Sequence, residues 1–148
     1  MKKFNFKLET VLKLREKFLE DKLLELAKIM KIQKEAEEEL ERLFQERTDV
    51  NNQIVEIYSI QDNIDYPMID VFRNYTVKLT SKARQQEALV NEIKTAVRIK
   101  QREVQEAIKN RDILRKLREK QFKNYYKELE SKEMQELDDI TICRYKVS

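Results

Sequence analysis

The side chains that carry most covalent and metal chemistry are missing from this sequence. Its 148 residues include no histidine, no glycine and no tryptophan, one cysteine and one proline. Without histidine there is no Ser-His-Asp or Cys-His pair to activate a nucleophile, and no imidazole ligand for zinc. Without glycine neither type of phosphate-cradling loop is available. One thiol, Cys143, builds neither a Cys-rich metal site nor an internal disulfide. Carboxylates are plentiful, with 28 Asp and Glu against 31 Lys and Arg. General acid–base work needs a cleft that desolvates a carboxylate pair, and long helices offer none. The expected chemistry is recognition without catalysis: no catalytic residue, no cofactor and no metal.

The elements that must position these residues follow from the same composition. A chain without glycine makes few tight turns, because few other residues accept positive φ cheaply. That excludes sandwiches, barrels and doubly wound sheets, and leaves an all-α fold of long helices. Pro67 sits in the one cluster of helix breakers, Asp62, Asn63, Asp65, Tyr66 and Pro67. Proline suits the first turn of a helix and the residue before it avoids the α region. A single domain, 1-148, is expected: helix about 7-61, turn about 62-68, helix about 69-139 and a frayed tail 140-148. The first helix would be roughly 80 Å long at ~1.5 Å per residue.

Both arms carry heptads. The first places Leu12, Leu19, Leu23, Leu26, Met30, Leu40, Phe44, Ile54 and Tyr58 on one frame, broken at Gln33, Glu37, Arg47 and Asn51. The second places Leu79, Ala83, Val90, Ile93, Val97, Val104, Ala107 and Leu114 on one frame, broken at Gln86, Lys100 and Arg111. Two long helices joined by a short loop are neighbours, so an antiparallel coiled-coil hairpin is expected, with paired residue numbers summing to about 130 if the turn centres near residue 65. The polar breaks predict marginal, local pairing.

Charge divides unevenly. Residues 1–74 hold 13 basic and 16 acidic residues, net −3; residues 75–148 hold 18 and 12, net +6, which together give the chain's +3. The stretch from Lys94 to Lys127 has 12 basic against 4 acidic residues. Opposite signs favour pairing of the arms. A basic stripe for nucleic acid is the rival reading, disfavoured because Glu103, Glu106, Asp112 and Glu119 interrupt it and no aromatic platform accompanies it. Phe4 to Lys17 alternates apolar and charged residues, so no signal-peptide core is expected, and no apolar run reaches membrane-spanning length. A cytoplasmic protein with a reduced Cys143 is the economical expectation.

The N-terminal run Phe4-Asn5-Phe6-Lys7-Leu8-Glu9-Thr10-Val11-Leu12-Lys13-Leu14-Arg15-Glu16 resembles the opening of the flagellar export protein FliJ family. The later runs Leu114-Arg115-Lys116-Leu117-Arg118-Glu119-Lys120, Tyr125-Tyr126-Lys127-Glu128-Leu129-Glu130 and Lys132-Glu133-Met134-Gln135-Glu136-Leu137-Asp138-Asp139 are similar to that family's basic, Tyr-x-x-Glu and acidic segments. Asp139 stands where Glu is more usual. The resemblance covers nearly the whole chain. It implies a two-helix antiparallel coiled coil, similar to a rotary-ATPase stalk. It implies a non-enzymatic component of flagellar type III protein export, cytoplasmic and peripherally associated with the membrane at the flagellar base. The implied partners are the hexameric export ATPase, the cytoplasmic domain of the export gate and export chaperones, with no small-molecule substrate.

By that resemblance the end holding both termini would enter the ATPase hexamer. Its candidates are Phe4, Phe6, Leu8, Val11, Leu12 and Arg15 on the first arm, with Leu129, Leu137, Asp138 and Asp139 on a C-terminal overhang. Simple closure of the hairpin end accounts for the apolar ones equally well. Matched by position, gate contacts would fall on Glu39, Leu43, Glu46 and Val50, and on Tyr75, Leu79, Lys82 and Gln86. Glu46 and Val50 replace aromatics of the family and Lys82 a small residue; Tyr75 and Leu79 equally suit the seam near the turn. Two alternatives stay open: the equivalent stalk of a virulence type III secretion system, and a generic basic coiled-coil adaptor or nucleic-acid binder.

Overall fold

A computed structural model describes residues 3–60 and 63–147. It consists of α1, Glu9–Ser59, and α2, Tyr66–Val147, packed against each other as an antiparallel hairpin. There is no strand among the described residues. The helix α2 starts at Tyr66 rather than near residue 69, and remains helical through Val147 where a frayed tail from residue 140 was expected. Gln61 and Asp62, at the expected end of the first helix and start of the turn, lie outside the described residues. Contacts gather into two compact units, Met1–Lys22 with Val104–Ser148, and Leu23–Glu103.

The turn works without glycine. Asn63 takes the left-handed conformation, φ 64°, which asparagine accepts more readily than other non-glycine residues. Asp65 then caps α2: its Oδ1 accepts from the Met68 N–H at 3.2 Å and its carbonyl from the Ile69 N–H at 3.1 Å. That is the N-cap pattern that satisfies orphan donors of the first turn.

Within Leu23–Glu103, α2 presents Ile69, Phe72, Thr76, Leu79, Ala83, Gln86, Val90, Ile93, Val97 and Lys100 as its buried or half-buried row. The steps alternate strictly between three and four residues, the coiled-coil spacing. The answering row on α1 is Leu26, Ile29, Gln33, Ala36, Leu40, Leu43, Arg47, Val50, Ile54 and Ile57. The expected α2 frame is therefore the observed one. On α1 half of the expected frame is displaced by one residue. Ile29, Ala36, Leu43, Val50 and Ile57 point inward, while Leu23, Met30, Phe44 and Tyr58 are exposed. Glu37 and Asn51, read as breaks, are not in the seam at all.

The remaining polar seam residues satisfy themselves at its margins. Gln86 Nε2 donates to the Ala36 carbonyl at 3.0 Å, and Gln33 Nε2 to Glu37 at 3.2 Å. Lys100 Nζ lies between Glu25 at 3.0 Å and Glu103 at 3.2 Å. Arg47 lies over the Phe44 ring, 5.0 Å from its centroid. No polar or charged residue is buried among the described ones, so the seam avoids the desolvation cost that would weaken it. The core here is Leu43, Val50, Leu79 and Ala83, with Leu40, Ile54 and Phe72 against it. Each fully buried aliphatic side chain contributes about 1.5–3 kcal/mol.

The shifted frame makes a sharp prediction. Leu43→Ala should destabilise the fold by about 2–4 kcal/mol, whereas Phe44→Ala, at the next position, should cost no more than about 1 kcal/mol. Chemical denaturation of both variants checks it; equal losses would restore the sequence-derived frame.

Candidate partner-binding surfaces

The candidate residues at the N-terminal end fall within Met1–Lys22 and Val104–Ser148. Before α1 begins, the chain lays Phe4 and Phe6 back against α2. Phe6 and Leu12 are buried with Leu114, and Phe4 and Leu117 pack beside them. The Phe6 carbonyl accepts from the Glu9 N–H at 3.1 Å, which turns the chain into α1. Arg15 Nη1 donates to the Asn110 carbonyl at 2.7 Å. Two ion pairs tie the helices: Arg118 to Glu9 at 3.0 Å and Arg115 to Glu16 at 3.4 Å. Phe4, Phe6, Leu12 and Arg15 are thus brought together, in structural contacts. Leu8, just before α1, and Val11 on α1 stay exposed.

Leu129, Leu137, Asp138 and Asp139 stand apart from that cluster, further along α2. Leu129 is half-buried, and every residue from Glu130 to Lys146 is exposed. Sequence reasoning passed over the aromatic group at the junction. Phe4 meets Phe122 edge-on at 5.4 Å and Tyr125 at 5.7 Å, and Phe122 meets Tyr126 at 4.6 Å. Phe122 and Tyr126 remain nearly half exposed beside Lys120, Lys123 and Lys127. The basic run therefore does have aromatic company, contrary to the sequence reading. The signal was present as aromatics four residues apart, facing one side of a helix.

The mid-chain candidates belong to Leu23–Glu103, and they divide by burial. Leu43, Val50 and Leu79 are core, so their side chains serve the helix pair and offer a partner almost no surface. Gln86 is half-buried and engaged by the Ala36 carbonyl. The outward-facing part is polar. Arg42 grips Glu39 through two hydrogen bonds, at 2.7 and 2.9 Å, and reaches Glu46 at 3.2 Å. The Tyr75 hydroxyl donates to the other Glu46 oxygen. Lys82, Gln85 and Leu89 line the same shallow groove as Glu39, Arg42 and Leu43. The Arg42 hydrogen bonds hold the Glu39 carboxyl below the usual carboxylate range, with Lys82 adding to the pull. The hydrogen bond to Glu46 pushes the Tyr75 phenol up. The surface is an ordered charged patch with one aromatic hydroxyl, suited to polar recognition.

No group of three or more acidic, cysteine or histidine side chains could hold a metal among the described residues, and Cys143 is exposed. No helix among them is long and apolar enough to cross a membrane.

A hairpin of two long helices, with its polar surfaces and aromatic end, defines a coiled-coil interaction protein. The particular family follows from comparison: the model of the family described as Flagellar FliJ protein matches residues 4–148, so the chain belongs to that family. The family consists of non-enzymatic components of flagellar type III export, which interact with other parts of the export apparatus. No curated protein and no solved structure matches the chain.

The electrostatics of the Arg42 cluster are testable. A depressed carboxyl pKa means that the Arg42–Glu39 contribution is present above the unfolded pKa and is lost as pH falls through the folded one. In an NMR titration Glu39 should protonate at lower pH than an isolated glutamate, and Arg42→Ala should return it to the ordinary range. Helix content should hardly change, because exposed pairs contribute little.

Proposed function

We propose that this chain is the stalk and scaffold of the flagellar export ATPase, with no catalytic activity of its own. The observation that carries the reading is the contrast within α2. Its seam is filled by α1 up to Leu114, and Leu117 packs beside Phe6 and Leu12, yet the helix continues to Val147 with Met134, Leu137, Ile140 and Ile142 exposed. Leu129, Leu137 and Ile140 share roughly one side of that segment, flanked by Glu133, Glu136, Asp138 and Asp139. Isolated helices of this length are marginal in water, so a pore that encloses the segment would stabilise it. Phe4, Leu8 and Val11 lie at the base of the segment, as an entering stalk end requires.

The same reading gives the mid-chain patch to the export gate. Burial narrows the contact set to Glu39, Glu46, Tyr75 and Lys82, with Leu43, Val50 and Leu79 holding the helix pair beneath them and Gln86 at its edge. Export chaperones are further partners that the family role suggests, and peripheral attachment at the membrane would follow from binding the gate. The absence of glycine-rich loops and histidine supports the non-enzymatic assignment.

Deleting residues 128–148 should leave the thermal midpoint of the hairpin nearly unchanged but weaken binding to the flagellar export ATPase by more than about tenfold, a loss of roughly 1.4 kcal/mol or more. Hydrogen exchange should show the segment fast alone and slowed when the ATPase is added. The isolated chain should not hydrolyse ATP, and the full chain should raise the turnover of the ATPase. Unchanged affinity after the deletion would move the contact to Phe4–Arg15 or further along the helices.

A further inference from the structure

The helix pair of Leu23–Glu103 leaves one heptad row unused. Leu23, Met30, Phe44 and Tyr58 recur along α1 at multiples of seven residues, yet each is between 37% and 48% exposed. Met30, Phe44 and Tyr58 directly follow the inward residues Ile29, Leu43 and Ile57, so they share one flank of the pair. Glu37 interrupts the row, and exposed Val55 carries it past Asn51. On α2 the residues that follow inward ones, such as Arg73 after Phe72 and Lys94 after Ile93, border the same flank. A bond from Arg73 Nη2 to the Tyr58 hydroxyl, at 2.7 Å, crosses the pair on that side. Glu39, Glu46, Tyr75 and Lys82 each precede an inward residue instead, and so occupy the opposite flank.

The α2 wall beside the apolar row is basic. Between Arg73 and Arg98 it carries Arg73, Arg84, Lys94 and Arg98 against one acid, Glu87. Arg84, Lys94 and Arg98 enter no ion pair among the described residues. Two guanidinium groups lie on rings of the row, Arg47 at 5.0 Å from the Phe44 centroid and Arg73 at 6.0 Å from that of Tyr58. A guanidinium stacked in this way keeps its N–H edge for a carboxylate. On α1 the flanking charges, Lys34, Glu37 and Glu41, nearly cancel, so the flank as a whole is basic.

We propose that this flank receives a third helix, an acidic amphipathic helix of another protein. Its apolar face would lie on Leu23, Met30, Phe44 and Tyr58, and its carboxylates against Arg73, Arg84, Lys94 and Arg98. Apolar side chains at seven-residue spacing fit a helix, whose own apolar row has the same repeat. The row runs roughly 50 Å at ~1.5 Å per residue, which asks for a long helix rather than a short peptide. A nucleic acid would meet the bases but leave the apolar row in water. A second copy laid flank on flank would bring the same excess of bases. The inference depends on neither the ATPase contact nor the gate contact.

Fluorescence anisotropy of the full chain with two designed peptides tests it. The acidic probe has about 35 residues to match the row, with leucine at its a and d positions and glutamate at e and g. The basic probe has lysine in place of glutamate. The acidic probe should bind at least about tenfold more tightly than the basic one, with affinity falling as salt rises. Met30→Ala combined with Phe44→Ala should weaken it more than about tenfold, and so should Arg84→Glu combined with Arg98→Glu. Lys78→Glu, a charge reversal away from this flank, should leave it unchanged. All five positions are exposed, so helix content by circular dichroism should not change; if a combined variant loses helix, Phe44→Ala or Arg84→Glu alone carries the same test. Equal affinity for the two probes overturns the proposal, as does acidic-probe binding that survives both combined variants. It is also overturned if duplex DNA or phosphatidylserine vesicles bind more tightly than the acidic probe and lose affinity with Arg84→Glu. Sedimentation equilibrium adds one more contradiction: a dimer of the chain that Phe44→Ala dissolves.

Discussion

The structure depends on one constraint: the strict alternation of three- and four-residue steps along the inward face of α2. From Ile69 to Lys100 every such step lands on a buried or half-buried side chain. A helix patterned this way cannot leave its row in water, since each large aliphatic residue left exposed forgoes about 1.5–3 kcal/mol. It therefore selects the one face of α1 with the same spacing. The turn chemistry serves that requirement. Asn63 supplies the positive φ and Asp65 supplies the cap, so the chain reverses without glycine.

How much of this was legible in the sequence depended on the arm. The α2 frame was readable because several of its apolar residues stand singly among polar ones, as at Leu79, Ala83 and Ile93. Along α1 the apolar residues often come as adjacent pairs, Ile29-Met30, Leu43-Phe44 and Ile57-Tyr58, and either member fits a heptad. The deciding positions were Ala36 beside Glu37 and Val50 beside Asn51, where only one choice keeps the seam apolar. Reading the wrong member turned a continuous seam into an apparently broken one. The polar residues that do lie in it, such as Gln86 and Lys100, reach hydrogen-bond partners at its edges. Pattern alone does not show that, because it depends on which groups of the other helix come within about 3 Å.

The candidate sites show the same limit. Position-by-position transfer from a coiled-coil family cannot separate residues that face a partner from those that face the other helix. Leu43, Val50 and Leu79 proved to be core, as did Phe6 and Leu12 at the other end. The surface that remains for recognition is carried by Glu39, Arg42, Glu46 and Tyr75, joined by hydrogen bonds across the two helices, and by the long exposed end of α2. The cluster of Phe122, Tyr125 and Tyr126 was legible from its spacing on one helix, but its contact with Phe4 was not, because Phe4 lies more than a hundred residues before it.

In the proposed stalk role, the exposed end of α2 and not the flank of the helix pair contacts the flagellar export ATPase. Site-specific photocrosslinking in flagellated cells tests this most directly, with a photoreactive residue at Leu137 or at Val77, both of which are more than half exposed. The account predicts an adduct with the export ATPase from position 137 and none from position 77. An adduct from position 77 with none from position 137 would contradict it.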